Sequence, residues 1–228
     1  MAVNEPGMFI TIEGGEGTGK STQLSHLAAM LRTARREVAV TREPGGSPGA
    51  EAIRALLVNG EIARWDAQSE LLLHFAARRD HLVHTVWPAL AEGKWVISDR
   101  FTDSTMAYQG YGYELGREAV LAVQQVTIGD FQPDLTFILD LPVEEGLARA
   151  TERDANRDDV AGLIYGEDRY ERMGAKFHNR VRKGFVDIAR RDPGRCRMID
   201  ARQPIDAVAD TIFNVLLERP REERVAGE

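Results

Sequence analysis

The sequence predicts an α/β fold, a five-stranded parallel sheet covered by helices on both faces. Two observations carry that expectation. Short apolar runs alternate with helix-period segments along most of the 228 residues. The first apolar run also passes through a glycine-rich turn directly into a helix. Alternation of this kind implies parallel strands whose crossovers cover both faces. Ligands of such sheets sit beyond the carboxyl ends of the strands. The length allows one domain with a large core, or one domain plus a mobile insertion, so residues 1–228 are read as a single unit.

The elements follow in order. "MFITIE" (Met8–Glu13) is a short, fully buried strand. After the glycines, Leu24, Leu27, Ala28 and Leu31 recur at helical spacing. "EVAVTRE" is the second strand, ended by "PGGSPG", whose proline and glycines force a loop. A helix is expected around Ala50–Val58 and a longer one over about Ala67–Ala91, with Leu72, Phe75, Leu82, Val83, Val86 and Leu90 inward. "KWVISDR" is the third strand, "YQGYGYELG" a glycine-rich loop, and a helix then runs to about Gly129. "DLTFILDLP" is the fourth strand, followed by a helix through Glu144 to Arg153. The polar, aperiodic stretch "DANRDDVAGLIYGED" (154–168) is read as a short mobile lid. It is not a domain linker, because a further helix and the strand "RCRMIDA" complete the alternation. The last helix carries Ile205, Val208, Ala209, Ile212, Val215 and Leu216 on one face, and residues from about 219 form a frayed charged tail.

Composition excludes several classes. No apolar run approaches the roughly 18 residues of a membrane span, and no signal peptide is visible at the N-terminus. The single cysteine, Cys196, fits a reducing cytoplasm and reads as a small packing residue. A net charge of −7 argues against nucleic acid as the main partner. Anions can be bound only where positive charge is concentrated locally.

That concentration begins at Gly14-x-x-x-x-Gly19-Lys20-Ser21, with a strand before it and a helix after it. The spacing and context are those of a nucleoside triphosphate-binding loop. Gly14, Gly15, Gly17, Thr18 and Gly19 let successive N–H groups face one anion, and Thr22 follows in the first helical turn. Lys20 meets the β and γ phosphates of the nucleotide, and the Ser21 hydroxyl can ligate Mg²⁺. A P-loop for a nucleoside triphosphate follows as the expectation, while the reaction it serves, kinase chemistry included, stays open. Glu16 is an unusual acid to find beside a polyanion: it either faces solvent or accepts a hydroxyl from a second substrate.

There is no Asn-Lys-x-Asp guanine signature and no His-Arg-Asp catalytic loop. A hydroxyl acceptor benefits from a base that takes its proton. A phosphate monoester does not, because its second pKa is near 6. Many arginines and no obvious base therefore suit transfer onto a phosphate.

"TREPGG" (Thr41–Gly46), "SDRFTDSTMAYQG" (Ser98–Gly110) and "PDLTFILDL" (Pro133–Leu141) together resemble bacterial thymidylate kinases, over Met8 to about Leu217. The resemblance implies a P-loop kinase fold and transfer of the γ-phosphate of ATP to dTMP in a Mg²⁺-dependent homodimer. It implies that Glu16 accepts the deoxyribose 3′-hydroxyl. It places Arg42, Glu43 and Arg54 at the dTMP site, with a cis bond before Pro44. It puts Arg78 on the thymine edge and Thr105 and Gln109 in the base pocket. Tyr108 would fill the space of a ribose 2′-hydroxyl. Asp99 would organise Mg²⁺ through water, and Arg100 would hold the transferring or acceptor phosphate.

Two positions depart from the family pattern. His74, with Phe75 next to it, stands where a stacking phenylalanine is expected. Gly17 stands where some members carry an arginine, so positive charge should come from lid arginines, of which Arg153 and Arg169 are expected to be catalytic ahead of Arg157. Arg149 is expected to pair with Glu145. Two other readings stay open on the sequence: another nucleoside or nucleotide kinase, and a non-catalytic ATP-binding regulator.

Overall fold

The computed structural model describes residues 7–155 and 169–218. The strands β1 (Phe9–Gly14), β2 (Val38–Arg42), β3 (Trp95–Asp99), β4 (Leu135–Asp140) and β5 (Cys196–Asp200) form one parallel sheet in the order β2-β3-β1-β4-β5. Registers Ile12↔Asp99 and Gly14↔Leu139 bring the ends of β3 and β4 level with the start of the phosphate loop. The carboxyl edge of the sheet is therefore where the candidate residues converge.

Alternation along the strands divides the core. Ile10, Ile12, Ile97 and Phe137 face α1 (Lys20–Thr33) and α9 (Ile205–Glu218), meeting Leu27, Leu31, Val208 and Ile212. Phe9, Val96 and Ile138 face the other way and pack with Phe75 of α3 (Ala67–His81), Val120 of α6 (Arg117–Ile128) and Phe185 of α8 (Ala175–Arg191). Each such side chain, taken from water, stabilises the fold by about 1.5–3 kcal/mol. The helices α2 (Pro48–Val58), α4 (Trp87–Ala91), α5 (Thr102–Thr105) and α7 (Val143–Ala155) complete the set among the described residues.

Several expectations are corrected. The long helix over residues 67–91 is present without a break, but it passes from α3 through wide π-helical turns over Leu82–Val86 into α4. Pro88 lacks an N–H and would crowd the carbonyl four residues back, and the wider turns absorb that conflict. Leu72 and Val83 do not face the core but are 57% and 40% exposed. The stretch from Tyr108 is not a loop at its start, since α5 continues as π-helical turns from Met106 to Gly112. The glycines there serve packing: a Cβ on Gly112 would lie 2.7 Å from the Phe177 ring of α8. The expected lid, 154–168, and the tail from 219 lie outside the described residues, except that α7 runs to Ala155. Arg149 donates to the carbonyl of Ala201. Cys196 is buried, and burial with Asp103 nearby pushes its thiol up to about 12, in line with a packing role.

Candidate active site

The phosphate loop joins β1 to α1 through residues with positive φ at Gly14, Gly17 and Gly19. At Gly17 the requirement is absolute. A Cβ there would come within 1.9 Å of the Gly146 carbonyl oxygen of α7, so no side chain, arginine included, fits. The Lys20 Nζ donates to the Gly15 carbonyl at 2.7 Å, and the Thr18 hydroxyl donates to the same oxygen at 3.0 Å. Burial, with Arg100 alongside, holds the Lys20 ammonium down to about 8. Thr22 is exposed on the first turn of α1.

Ser21 Oγ lies 3.3 Å from Asp99 Oδ2, and the buried Asp99 Oδ1 has no hydrogen-bond partner. A hydroxyl beside a carboxylate oxygen left open is a donor set suited to a divalent cation that keeps most of its other ligands as water and phosphate. No cluster of three or more metal-ligating side chains exists among the described residues. Ser21 and Asp99 are the pair that could hold such an ion.

Arg100 follows β3 in the left-handed region, at φ 71°. For a non-glycine residue this costs about 1–3 kcal/mol and needs outside support. The support comes from both sides. The Arg100 N–H donates to the Ile12 carbonyl at 3.0 Å, and the Phe101 N–H donates to Glu13 Oε1 at 2.7 Å. Glu13 Oε2 is 2.5 Å from the Ser104 hydroxyl. Burial, with Asp103 nearby, raises the Glu13 carboxyl well above the usual range.

The turn swings the Arg100 guanidinium over the loop. It donates to the Gly14 carbonyl and to Ser104 Oγ, both at 3.1 Å, and to Glu16 Oε1 at 3.1 Å. The Tyr108 hydroxyl donates to that same Glu16 oxygen at 2.6 Å. Burial would raise the Glu16 pKa, but Arg100, Lys20 and the Tyr108 hydroxyl outweigh it and hold the carboxylate at about 2. A cleft beside this group is lined by Gly15, Glu16, His178, Arg182 and Phe185.

A second polar group adjoins the first through the neighbours Tyr108 and Gln109. Arg78 is buried between the rings of Phe75 and Phe101, with its guanidinium carbon 4.7 and 5.0 Å from their centroids. It donates to Glu43 Oε2 at 2.7 Å and to the Thr105 hydroxyl at 2.9 Å, and its Nη1 has no partner. Gln109 donates to Glu70 Oε1 at 2.8 Å, and its own Oε1 is buried and unpartnered. His74 Nε2 is 2.9 Å from the Tyr170 hydroxyl, which donates to Glu70 Oε1 at 2.9 Å. Burial, with Arg78 and Arg169 nearby, lowers His74 to about 3, so its ring is neutral. Phe75, with no exposure, is core.

The remaining expected site residues lie elsewhere. The bond before Pro44 is cis, and Arg54 donates to the Pro44 carbonyl at 2.7 Å. Arg42 is exposed and paired with Glu51 at 3.1 Å. Arg153 is half-exposed and paired with Glu171 at 2.6 Å. Arg169 is corrected most. Instead of reaching towards the phosphate loop it is 1% exposed, 2.5 Å from Glu70 Oε2, and donates to the carbonyls of Leu57 and Glu61. Arg157 lies outside the described residues.

Sequence reading missed Glu13, Glu70, His81 and Tyr170. Two signals were present. Glu13 is a carboxylate inside an otherwise apolar strand, and Glu70, His74 and Arg78 recur every fourth residue, on one helix face. His81 bonds Glu43 Oε1 at 2.9 Å only because the loop after β2 folds over α3.

The family model for thymidylate kinase matches residues 12–212. The thymidylate kinase of Caulobacter vibrioides is 50% identical over 213 residues, covering 93% of this chain and 97% of that protein. That of Rhodopseudomonas palustris strain TIE-1 is 49% identical over 223 residues, covering 97% and 93%. The crystal structure of the Ehrlichia chaffeensis thymidylate kinase is similar with a TM-score of 0.73 and 36% identity, over 92% of this chain and all of that one.

Proposed function

The chain belongs to the thymidylate kinase family, and from that premise we propose how its residues move the γ-phosphate of ATP onto dTMP, giving dTDP and ADP. The observation that carries the reading is the pair of unpartnered buried atoms in the second polar group. Arg78 Nη1 is a spare donor and Gln109 Oε1 a spare acceptor. Thymine offers the complement on one edge, an acceptor at O4 beside a donor at N3–H. Leaving both atoms buried without partners costs about 1–3 kcal/mol each, and base binding removes that cost. Thr105 orients Arg78, and His74 forms the wall beside it.

Glu16, kept ionised by Arg100 and Lys20, suits the 3′-hydroxyl of the sugar. The Tyr108 ring, packed below it, occupies the volume a 2′-hydroxyl would need. Arg100 lies between acceptor and donor sites and neutralises phosphate oxygens, and Lys20 meets charge developing on the transferring group. Arg153, at the end of α7, supplies further positive charge. Ser21 with Asp99 would hold Mg²⁺, which would supply positive charge against the donor phosphates. The residues themselves act by placing two phosphates in line and excluding water.

We also propose a homodimer through the apolar faces of α3, of the π-helical turns that continue it, and of α6. Leu72, Val83, Leu121 and Val126 are exposed there, Val126 at 88%, and a symmetric pair would cover them.

The testing experiment offers ATP with each nucleoside and nucleoside monophosphate and follows ADP release. dTMP should be the best acceptor, with dUMP weaker by about 10- to 200-fold for one missing methyl. Thymidine outpacing dTMP would overturn the reading.

A further inference from the structure

We propose that Glu70 is a specificity-positioning residue that selects thymine-type bases over cytosine by fixing which way the Gln109 amide faces. The inference rests on the dTMP-kinase reading above and adds to it a residue that touches no substrate.

An amide side chain has two nearly isosteric ends, one donor and one acceptor. Which end meets the base decides which base is read. Gln109 is 1% exposed and lies midway along the π-helical turns, four residues after Thr105. Across from it, α3 presents Glu70, His74 and Arg78 at four-residue spacing. Two bonds tie these faces together, Arg78 to Thr105 and Gln109 to Glu70. The two unpartnered atoms, Arg78 Nη1 and Gln109 Oε1, belong to these two ties.

Glu70 receives donors alone. The Gln109 amide and the Tyr170 hydroxyl donate to Oε1, and the Arg169 guanidinium faces Oε2. The Tyr170 hydroxyl has one proton and gives it to Glu70, so its contact with the neutral His74 requires the ring tautomer that carries Nε2–H. A carboxylate so surrounded can accept from Gln109 and has nothing to donate. The amide nitrogen must therefore turn to Glu70, and Oε1 must turn to the base. Thymine N3–H satisfies that oxygen. Cytosine N3 would set a lone pair against it, and the cytosine amine would set a donor against Arg78 Nη1.

Glu70→Gln tests this. The neutral amide keeps size and shape but can donate or accept, so Gln109 can reverse. One of the two mismatches with cytosine is then repaired. The kcat/KM ratio of dTMP to dCMP should fall at least about tenfold. Glu70→Asp, which keeps an acceptor, should retain most of the parental ratio. An unchanged ratio in Glu70→Gln, beside a ratio that collapses in Gln109→Leu, would overturn the role of Glu70 while sparing the base-reading role of Gln109. An unchanged ratio in Gln109→Leu would overturn both, and failure of the parent to phosphorylate dTMP would remove the premise.

A second measurement needs no stable Glu70 variant. The Gln109 side-chain amide protons, assigned by ¹⁵N spectra of a Gln109→Met control, should keep their hydrogen-bonded shift when dTMP binds. Movement of that amide group on dTMP binding, to a pattern of donation to the base, would refute the proposal.

Discussion

Replacing Arg169 with methionine should unfold the protein more readily and leave the chemistry nearly intact. Arg169 is 1% exposed and Glu70 has no exposure, with their charged atoms 2.5 Å apart. Removing one partner of a buried pair leaves the other charge without compensation, which costs about 3–5 kcal/mol. The lost bonds to the Leu57 and Glu61 carbonyls act in the same direction. At about 2.1 cal/mol/K of unfolding entropy per residue, 228 residues give roughly 0.5 kcal/mol/K, so Tm should fall by about 6–10 °C. Urea unfolding of Arg169→Met, read by circular dichroism, should give the same loss of free energy with little change in slope. Adding Glu70→Leu removes the stranded charge and should recover about half of the loss or more. kcat at saturating substrates should stay within about threefold of the parent, a barrier change well under 1.4 kcal/mol. A kcat that fell more than about 10²-fold with Tm unmoved would refute this reasoning. It would return Arg169 to the catalytic role that its position after the lid suggests.

Three further outcomes are expected. Lys20→Ala should lower kcat by about 10²-fold or more through lost transition-state charge stabilisation, with Tm little altered; activity within tenfold of the parent would count against the phosphate-loop assignment. Glu13 carries a raised pKa in the folded state against 4.5 in the unfolded chain. The native state therefore holds more protons above pH 4.5, and the contribution of Glu13 to stability declines as pH rises from there; Glu13→Gln should flatten that decline in pH-dependent urea unfolding, and an unchanged profile would sink the assignment. The protein should sediment as a dimer at micromolar concentration, and the double variant Leu121→Lys with Val126→Lys as a monomer, whereas a monomeric parent would leave the exposed α3 and α6 faces unexplained.

Local pattern determined much of this protein. Short apolar runs and period-3.6 apolar spacing specified which segments became strands and helices, because a strand buried on both faces needs apolar residues throughout and a helix only on one side. The glycine spacing before Lys20 specified the phosphate loop, since glycine takes the left-handed φ of Gly17 and Gly19 without the steric cost a side chain would carry. Asp99 and Arg100 were legible as site residues because they end a strand of a parallel sheet.

Other features depended on the partner that each residue finds across the fold. Leu72 and Val83 look like core residues by period, but the face that packs inwards carries Leu71, Phe75 and Leu82, and both neighbours lie off it. "YQGYGYELG" reads as a loop by composition, yet its first residues stay helical because Phe177 and Val181 of α8 fill the space that side chains at Gly112 would need. Arg169 and Glu70 are 99 positions apart in the chain, so no local window could pair them, and their pairing turned an expected lid arginine into a buried clamp. Burial did the same for Glu13, where desolvation raises a carboxyl that the residue type alone would leave in the ordinary range. Pattern reports what each backbone segment prefers, whereas pairing of distant charges and loss of water at a carboxylate exist only once the sheet has brought those segments together.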